Sequence, residues 1–366
     1  AAVAIARLGK TQLSAGLVPL LRDDDDVVSH TARQSLVRLN AFEACLAELD
    51  AADADYAVAI LKALQVMHHD RVVDELISRS GEFPAQRMAL LMALCRLYNV
   101  EGEWQGNSWG TRPDTRGPYF QPEPWSASPK IAEHLGKVLS ESELDFGLQL
   151  VRQLNRHRVA LPETDRWLLD AAVRNPSAAM PDLLRHLASK TAIDESTADI
   201  VLNLVGQESF AKEMRVEAVP VLLRLKGREA IAKLLDWMSD GDGMLQRQVL
   251  QQRGLRRKLD ELIEFAQSSD ARSAAALTAL AALQRGRLNE EAKTQIAAIM
   301  EAVWDADRLK YLTAVQTANR KDLSNKVLLG LQDGSEQVRN LAAKLAADWK
   351  LDKLEVATGP KISSLA

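Results

Sequence analysis

The stretch Asp333-Gly334-Ser335-Glu336-Gln337-Val338-Arg339-Asn340-Leu341-Ala342, near the end of the chain, decides the fold. Asp333-Gly334 is typical of a turn, Ser335 is a candidate N-cap residue, and Glu336 suits the positive N-terminal end of a helix. The apolar residues after the turn recur at the spacing of one helix face: Val338, Leu341, Ala342, Leu345, Ala346 and Trp349. A second apolar face precedes the turn, at Leu323, Val327, Leu328 and Leu331. The stretch therefore predicts two helices joined by a tight turn.

The same order of residues recurs along the chain. Asp23 to Asp26 precede an apolar face, and Asp270 precedes another. The strings Pro181-Asp-Leu-Leu-Arg185 and Pro220-Val-Leu-Leu-Arg224 are related and lie 39 residues apart. A period near 40 residues is typical of HEAT and armadillo repeats. We expect each proline in the first turn of a helix, where its missing N–H costs no hydrogen bond.

The turn at Asp333 to Arg339 resembles the HEAT-repeat turn, in which an Asp precedes a Val-Arg at the start of the second helix. We therefore predict an all-α fold, a HEAT/armadillo-like α-solenoid of paired antiparallel helices with one long irregular loop insertion. Strands should be rare, because almost no segment alternates with period two. The predicted divisions are N-terminal repeats over 1–99, the loop insertion over 100–130, C-terminal repeats over 131–350, and a linker or tail over 351–366.

Composition narrows the class of protein. Of the 366 residues 47% are hydrophobic and 26% are charged, which predicts folded cores. The formal net charge of −4 offers no global attraction to nucleic acid or anionic lipid. Cys45 and Cys95 form no Cys-x-x-Cys pair and lie among apolar residues, so we expect buried free thiols. No apolar run approaches the ~20 residues of a transmembrane helix. The start at Ala1, without Met, leads us to expect a piece of a longer protein.

One segment departs from the helical pattern. Residues 100–129 hold three of the seven tryptophans and five of the twelve prolines. Long irregular segments are usually functional or disordered, and the aromatic content argues against disorder. Two interpretations stay open: a plug that covers a groove of the solenoid, or a contact surface for a neighbouring domain, a glycan or a small ligand. The candidate binding or docking residues are Trp104, Trp109, Thr111, Arg112, Asp114, Thr115, Arg116, Tyr119 and Trp125.

This segment also carries a family resemblance. The string Trp109-Gly-Thr-Arg112-Pro-Asp114-Thr-Arg116-Gly-Pro-Tyr119, followed by Trp125, Ser128 and Lys130-Ile131, resembles a signature of PVC-type haem-binding CxxCH proteins, also called putative membrane-bound dehydrogenases. In that family a propeller similar to sugar dehydrogenases precedes the HEAT region, and a cytochrome c domain follows it. The resemblance implies a periplasmic or exported parent, with haem c in a downstream domain that this chain lacks.

The remaining groups of candidate residues give weak evidence for a metal, nucleic-acid or catalytic site. The six histidines include no His-Glu-x-x-His pair, and His68 and His69 point about 100° apart on a helix, so neither predicts a metal site. Asp23 to Asp26 and Asp240-Gly-Asp242-Gly243 lack the spacing of an EF-hand, and solvated turns are the simpler interpretation. The basic run from Arg247 to Lys258 has no interleaved aromatic residues, so an exposed face is favoured over a nucleic-acid site. No Ser or Cys nucleophile stands in a recognised motif.

These observations lead to three hypotheses. The first is a non-catalytic HEAT scaffold, without catalytic, cofactor or metal residues of its own, that joins a propeller to a cytochrome c domain of the parent chain. The second is a free-standing module that binds a protein partner. The third is carbohydrate or small-ligand binding by the aromatic loop. None involves nucleic acid or a transmembrane segment of this chain.

Overall fold

Apolar residues at helical spacing, separated by short polar turns, fold the chain into successive helices. The computed structural model describes residues 1–103 and 121–351. The described residues form two compact units that divide between Leu183 and Leu184, within a helix. None of the helices in the described ranges is long and apolar enough to span a bilayer.

The first unit begins with short helices and continues in pairs. Its 3-10 helices are Thr11–Arg22 and Pro84–Gln86. Its strands are β1 (Asn99–Glu101) and β2 (Pro122–Pro124). Its α-helices are α1 (Ala2–Arg7), α2 (Asp26–Arg38), α3 (Phe42–Leu49), α4 (Ala54–Leu64), α5 (Asp70–Glu82), α6 (Arg87–Leu97), α7 (Ser128–Ser140), α8 (Leu144–Arg156), α9 (Glu163–Arg174) and α10 (Pro176–Ser189), the last of which contains the division.

The second unit repeats this organisation. Its 3-10 helices are Lys212–Met214, Arg253–Lys258 and Lys321–Leu323. Its α-helices are α11 (Glu195–Gly206), α12 (Arg215–Leu222), α13 (Arg228–Ser239), α14 (Gly243–Gln251), α15 (Leu259–Gln267), α16 (Ser273–Gln284), α17 (Glu290–Ala306), α18 (Arg308–Thr317), α19 (Ser324–Gly330) and α20 (Glu336–Trp349).

In each unit the helices pack in two layers. In the first unit α2, α4, α6 and α8 contact one another in order, and α3, α5, α7 and α9 form the second row. In the second unit α12, α14, α16, α18 and α20 form one row, and α11, α13, α15 and α17 form the other. A helical pair buries its apolar face only against neighbouring pairs, as the repeats of a solenoid do. The predicted all-α fold is therefore confirmed, with one two-stranded ribbon in the described ranges.

Leucine is the most frequent residue in the core between the layers. Leu36, Leu64, Leu94 and Leu154, one from each helix of the first row, are fully buried. Cys45 and Cys95 are buried and free, as the sequence predicted. Burial raises the pKa of the Cys45 thiol to about 12, because a thiolate is poorly solvated in an apolar core.

The expected position of two prolines was wrong, whereas Ser335 is the predicted N-cap residue without a capping bond. Pro181 and Pro220 lie inside α10 and α12 rather than in their first turns. A proline there removes one backbone hydrogen bond, and the leucines that follow each proline are buried, which offsets that cost. Ser335 occupies the N-cap position of α20, but its hydroxyl makes no capping bond. Asp333 organises this turn instead, since its carboxylate accepts the Ser335 N–H at 2.8 Å.

Two glycines test the packing of neighbouring helices. Gly147 of α8 lies against Trp167 of α9, and a Cβ added there would overlap the indole ring, which is itself buried. Gly81 of α5 has open space around it. Gly147→Ala should lower the free energy of unfolding by about 1–3 kcal/mol through overpacking. Gly81→Ala should raise it by up to about 1 kcal/mol, because alanine restricts the unfolded chain. Urea unfolding of both variants checks this, and a stabilising Gly147→Ala would contradict the packing described.

Candidate functional site at the base of the loop

Of the nine predicted site residues, the structure describes Trp125. The remaining eight lie outside the described residues, so their roles stay predictions: Trp104, Trp109, Thr111, Arg112, Asp114, Thr115, Arg116 and Tyr119. The contact surface for a neighbouring domain, a glycan or a small ligand that the sequence suggested belongs to the same segment. What the structure describes is how both ends of the loop are attached.

The two ends of the loop meet as an antiparallel ribbon. β1 and β2 pair with Asn99 opposite Pro124 and Glu101 opposite Pro122. The ribbon gains one more bond where the Gly102 N–H donates to the Gln121 carbonyl at 2.9 Å. A Cβ on Gly102 would stand 2.7 Å from that carbonyl oxygen, so the close approach requires glycine. The ribbon brings the loop back to the helix pair from which it departs.

Trp125 and Ser128 fasten the returning chain to the end of α6. The last carbonyls of a helix have no partner within the helix. The Trp125 indole N–H donates to the Leu97 carbonyl at 2.7 Å, and the Ser128 hydroxyl donates to the Tyr98 carbonyl at 2.6 Å. The Ser128 oxygen also accepts the Trp125 backbone N–H at 2.8 Å. Two side chains from the start of α7 thus cap the C-terminal end of α6.

His68 and Asn99 complete the attachment. The His68 ring lies edge-on to Trp125, with centroids 5.3 Å apart, and its Nε2 is 3.0 Å from the Asn99 carbonyl. Burial lowers the pKa of His68, so the neutral ring with a proton on Nε2 donates this bond. The buried Asn99 amide donates to the His157 carbonyl at 3.1 Å. We call Leu97, Tyr98, Asn99, Trp125, Ser128 and His68 the loop clasp.

The loop clasp is built to position a segment. These hydrogen bonds join parts of the clasp to one another or to the ends of α6 and α8. Trp125 is half-buried, and its indole N–H is already used by Leu97. The histidine beside it is held neutral by burial. The arrangement can therefore present the loop in a fixed place beside α6 and α7.

Most of the loop clasp could not be predicted from the sequence. No motif pointed to a structural role for His68, Asn99 or Leu97. Their contacts span 28 to 58 residues of sequence, so no local pattern indicates them. The sequence did single out Trp125 and Ser128, which belong to the string quoted above.

The other sequence candidates serve the fold. Asp25 and Asp242 are N-caps, and their carboxylates accept the N–H groups of Val27 and Met244. No group of three metal-ligating side chains occurs in the described ranges. The basic run is exposed at Arg247, Arg253, Arg256 and Arg257, as expected, whereas Lys258 is 5% exposed. The Lys258 ammonium donates at 2.7 Å to the Leu225 carbonyl, which lies in the turn after α12.

Comparison with known proteins adds little to this geometry. No protein-family model matches the chain, and the comparison with curated proteins yields no match. Among solved structures, an engineered protein is 15% identical, with a TM-score of 0.35 over 95% of this chain and 90% of that chain. A structure described by a phosphorylation switch controlling the interaction between cadherin and beta-catenin is 11% identical, with a TM-score of 0.37 over 95% of this chain and 84% of that chain. These distant likenesses carry no argument about function.

Ser128→Ala tests the loop clasp. The change leaves the Tyr98 carbonyl and the Trp125 N–H without their partner, and a buried unsatisfied group costs about 1–3 kcal/mol. We expect the free energy of unfolding to fall by that amount in urea titrations. The neighbouring exposed Ser126→Ala is the matched control and should change it by less than about 0.5 kcal/mol. Equal effects of the two substitutions would show that Ser128 caps nothing of consequence.

The histidines predict acid sensitivity of the first unit. Burial lowers the pKa of His68 and His134, and it lowers that of His157 to about 4. Because the unfolded chain binds these protons more tightly, the stabilisation is complete above about pH 6.5 and is lost as pH falls toward the folded values. The melting temperature should therefore drop between about pH 7 and about pH 5. His68→Gln should reduce this drop, and an unchanged melting temperature in the wild type would contradict the assignment.

Proposed function

We propose that this chain is a non-catalytic helical-repeat scaffold segment that joins a sugar-dehydrogenase-like propeller to a cytochrome c domain in a larger exported redox protein. The helical-repeat fold is that of a scaffold or interaction module. The finer assignment comes from the resemblance of residues 109–131 to the PVC-type haem-binding proteins. Haem c would belong to a domain downstream of this chain, and the periplasm or cell exterior would be its location.

The loop clasp is the observation that carries the proposal. A scaffold that orients neighbouring domains needs contact segments held by its helices rather than tethered loosely. The end of the family string provides such a hold: Trp125 and Ser128 cap α6, Ile131 is fully buried, and Lys130 pairs with Asp74 of α5. The aromatic loop therefore leaves and re-enters the stack at a fixed place, as a docking element requires.

The described histidines also favour a structural role. His68 holds the Asn99 carbonyl, and the His134 ring is 2.8 Å from the Ser80 hydroxyl. Burial lowers the pKa of both rings. A general base is most effective with a pKa near the working pH and within reach of a substrate. These rings instead face neighbouring parts of the fold.

Sequencing the gene on both sides of the region that encodes residues 1–366 tests this proposal. We expect one reading frame that encodes a propeller upstream and a Cys-x-x-Cys-His motif downstream. A frame that opens immediately before Ala1 and closes immediately after Ala366 would overturn the proposal. A continuous frame with other flanking domains would keep the scaffold and remove the redox parent.

A further inference from the structure

A groove crosses the first row of helices in the first unit. It lies over α2, α4 and α6, which pack side by side, and encloses about 380 Å³. Arg33 of α2, Lys62 of α4 and Arg96 of α6 line it together. An adjoining hollow of about 290 Å³ shares Arg33 and Lys62 and extends toward Asp26. We call these two hollows the basic groove.

Cations dominate the basic groove although the whole chain is acidic. Its three cations come from α2, α4 and α6, which are neighbours in the first row of helices. Asp26 at one end is the one carboxylate among the lining residues. The Arg33 guanidinium is 2.9 Å from His30 Nδ1, and neither Arg33 nor Lys62 forms an ion pair in the described ranges. Arg96 lies 3.9 Å from Glu101. Positive charge confined to a groove concentrates the field and attracts an anionic ligand despite the net charge of −4.

Amide side chains in the basic groove favour a peptide ligand. Gln34 of α2 and Gln65 of α4 line it beside the cations. A glutamine amide can donate to a backbone carbonyl and accept from a backbone N–H, so it suits an extended peptide. No Phe, Tyr or Trp lines the described part of the groove, whereas single-stranded nucleic acid sites use such rings for base stacking.

The spacing of the helices sets the spacing of the ligand's charges. Packed helices lie about 8–10 Å apart. A polyproline II segment advances about 3.1 Å per residue with three residues per turn, so every third side chain lies on one face about 9 Å from the next. Acidic residues at every third position would therefore meet the cations of α2, α4 and α6 in turn.

We propose that the basic groove binds an extended acidic peptide segment that runs across α2, α4 and α6. Its carboxylates pair with Arg33 and Lys62, its backbone bonds to Gln34 and Gln65, and Arg96 beside Glu101 adds positive charge at the α6 end. This interaction goes beyond the scaffold role and does not depend on which domains flank the chain. The gene test above and the binding test below can therefore fail independently.

Fluorescence anisotropy with a labelled Glu-Pro-Pro repeat peptide tests the proposal. We expect saturable binding that weakens by about tenfold or more when salt rises from about 50 to about 500 mM, since exposed charges are screened. The double variant Arg33→Gln/Lys62→Gln should weaken binding by about tenfold at low salt. Lys137→Gln, an exposed lysine on α7 away from the groove, should leave binding unchanged.

Three results would overturn the proposal. The first is binding of a Gln-Pro-Pro repeat peptide as tightly as the Glu-Pro-Pro peptide. The second is equal affinity of the double variant and the wild type, with circular dichroism showing that both are folded. The third is tighter binding of an oligothymidylate than of the acidic peptide, which would make the groove a nucleic-acid site.

Discussion

The structure depends on how the C-terminal carbonyls of its helices find hydrogen-bond donors. These groups have no partner within their own helix, and a buried carbonyl without one is costly. In the second unit the donor is repeatedly a cation from the next pair along the chain. Arg224 reaches the Leu187 carbonyl in the last turn of α10 at 3.3 Å, and the guanidinium of Arg320 reaches the Ala281 carbonyl in the last turn of α16. Lys258 donates at 2.7 Å to the Leu225 carbonyl, which lies in the turn that follows α12. Each pair of helices thus completes the one before it.

The aromatic loop follows the same constraint. In place of a cation, Trp125 and Ser128 supply the donors for the end of α6. Thirty residues, 98–127, separate α6 from α7, and the cap fixes where α7 begins. Ser128 and Ile131 belong to this attachment, because the Ser128 hydroxyl donates to the Tyr98 carbonyl and Ile131 is fully buried. The hydrogen bonds at its two ends fix where the loop leaves α6 and where the chain enters α7.

Local patterns in the sequence predicted the helices and their pairing. The pattern around the turn at Asp333, with the apolar face from Val338 to Trp349, predicted a helix pair from a few residues. The structure has α19 and α20 at this place. The caps between pairs could not be predicted, because their partners lie tens of residues apart. At Asp23 to Asp26 the sequence predicted a turn but no particular cap. In the structure Asp25 is the N-cap of α2. The loop clasp and the basic groove could not be predicted for the same reason. In the basic groove, for example, Arg33, Lys62 and Arg96 become neighbours only after folding.

The most direct test of the capping account is the unfolding free energy of Lys258→Met, which keeps the aliphatic side chain and removes the donor to Leu225. The account predicts a loss of about 1–3 kcal/mol, because the Leu225 carbonyl is left unsatisfied. Glu261→Gln, which leaves the Leu225 bond in place, should cost less, and Lys293→Met, which removes an ion pair with Glu290 of the same helix, should change little. A Lys258→Met protein as stable as the wild type, or more stable, would contradict the claim that cations of each pair complete the pair before it.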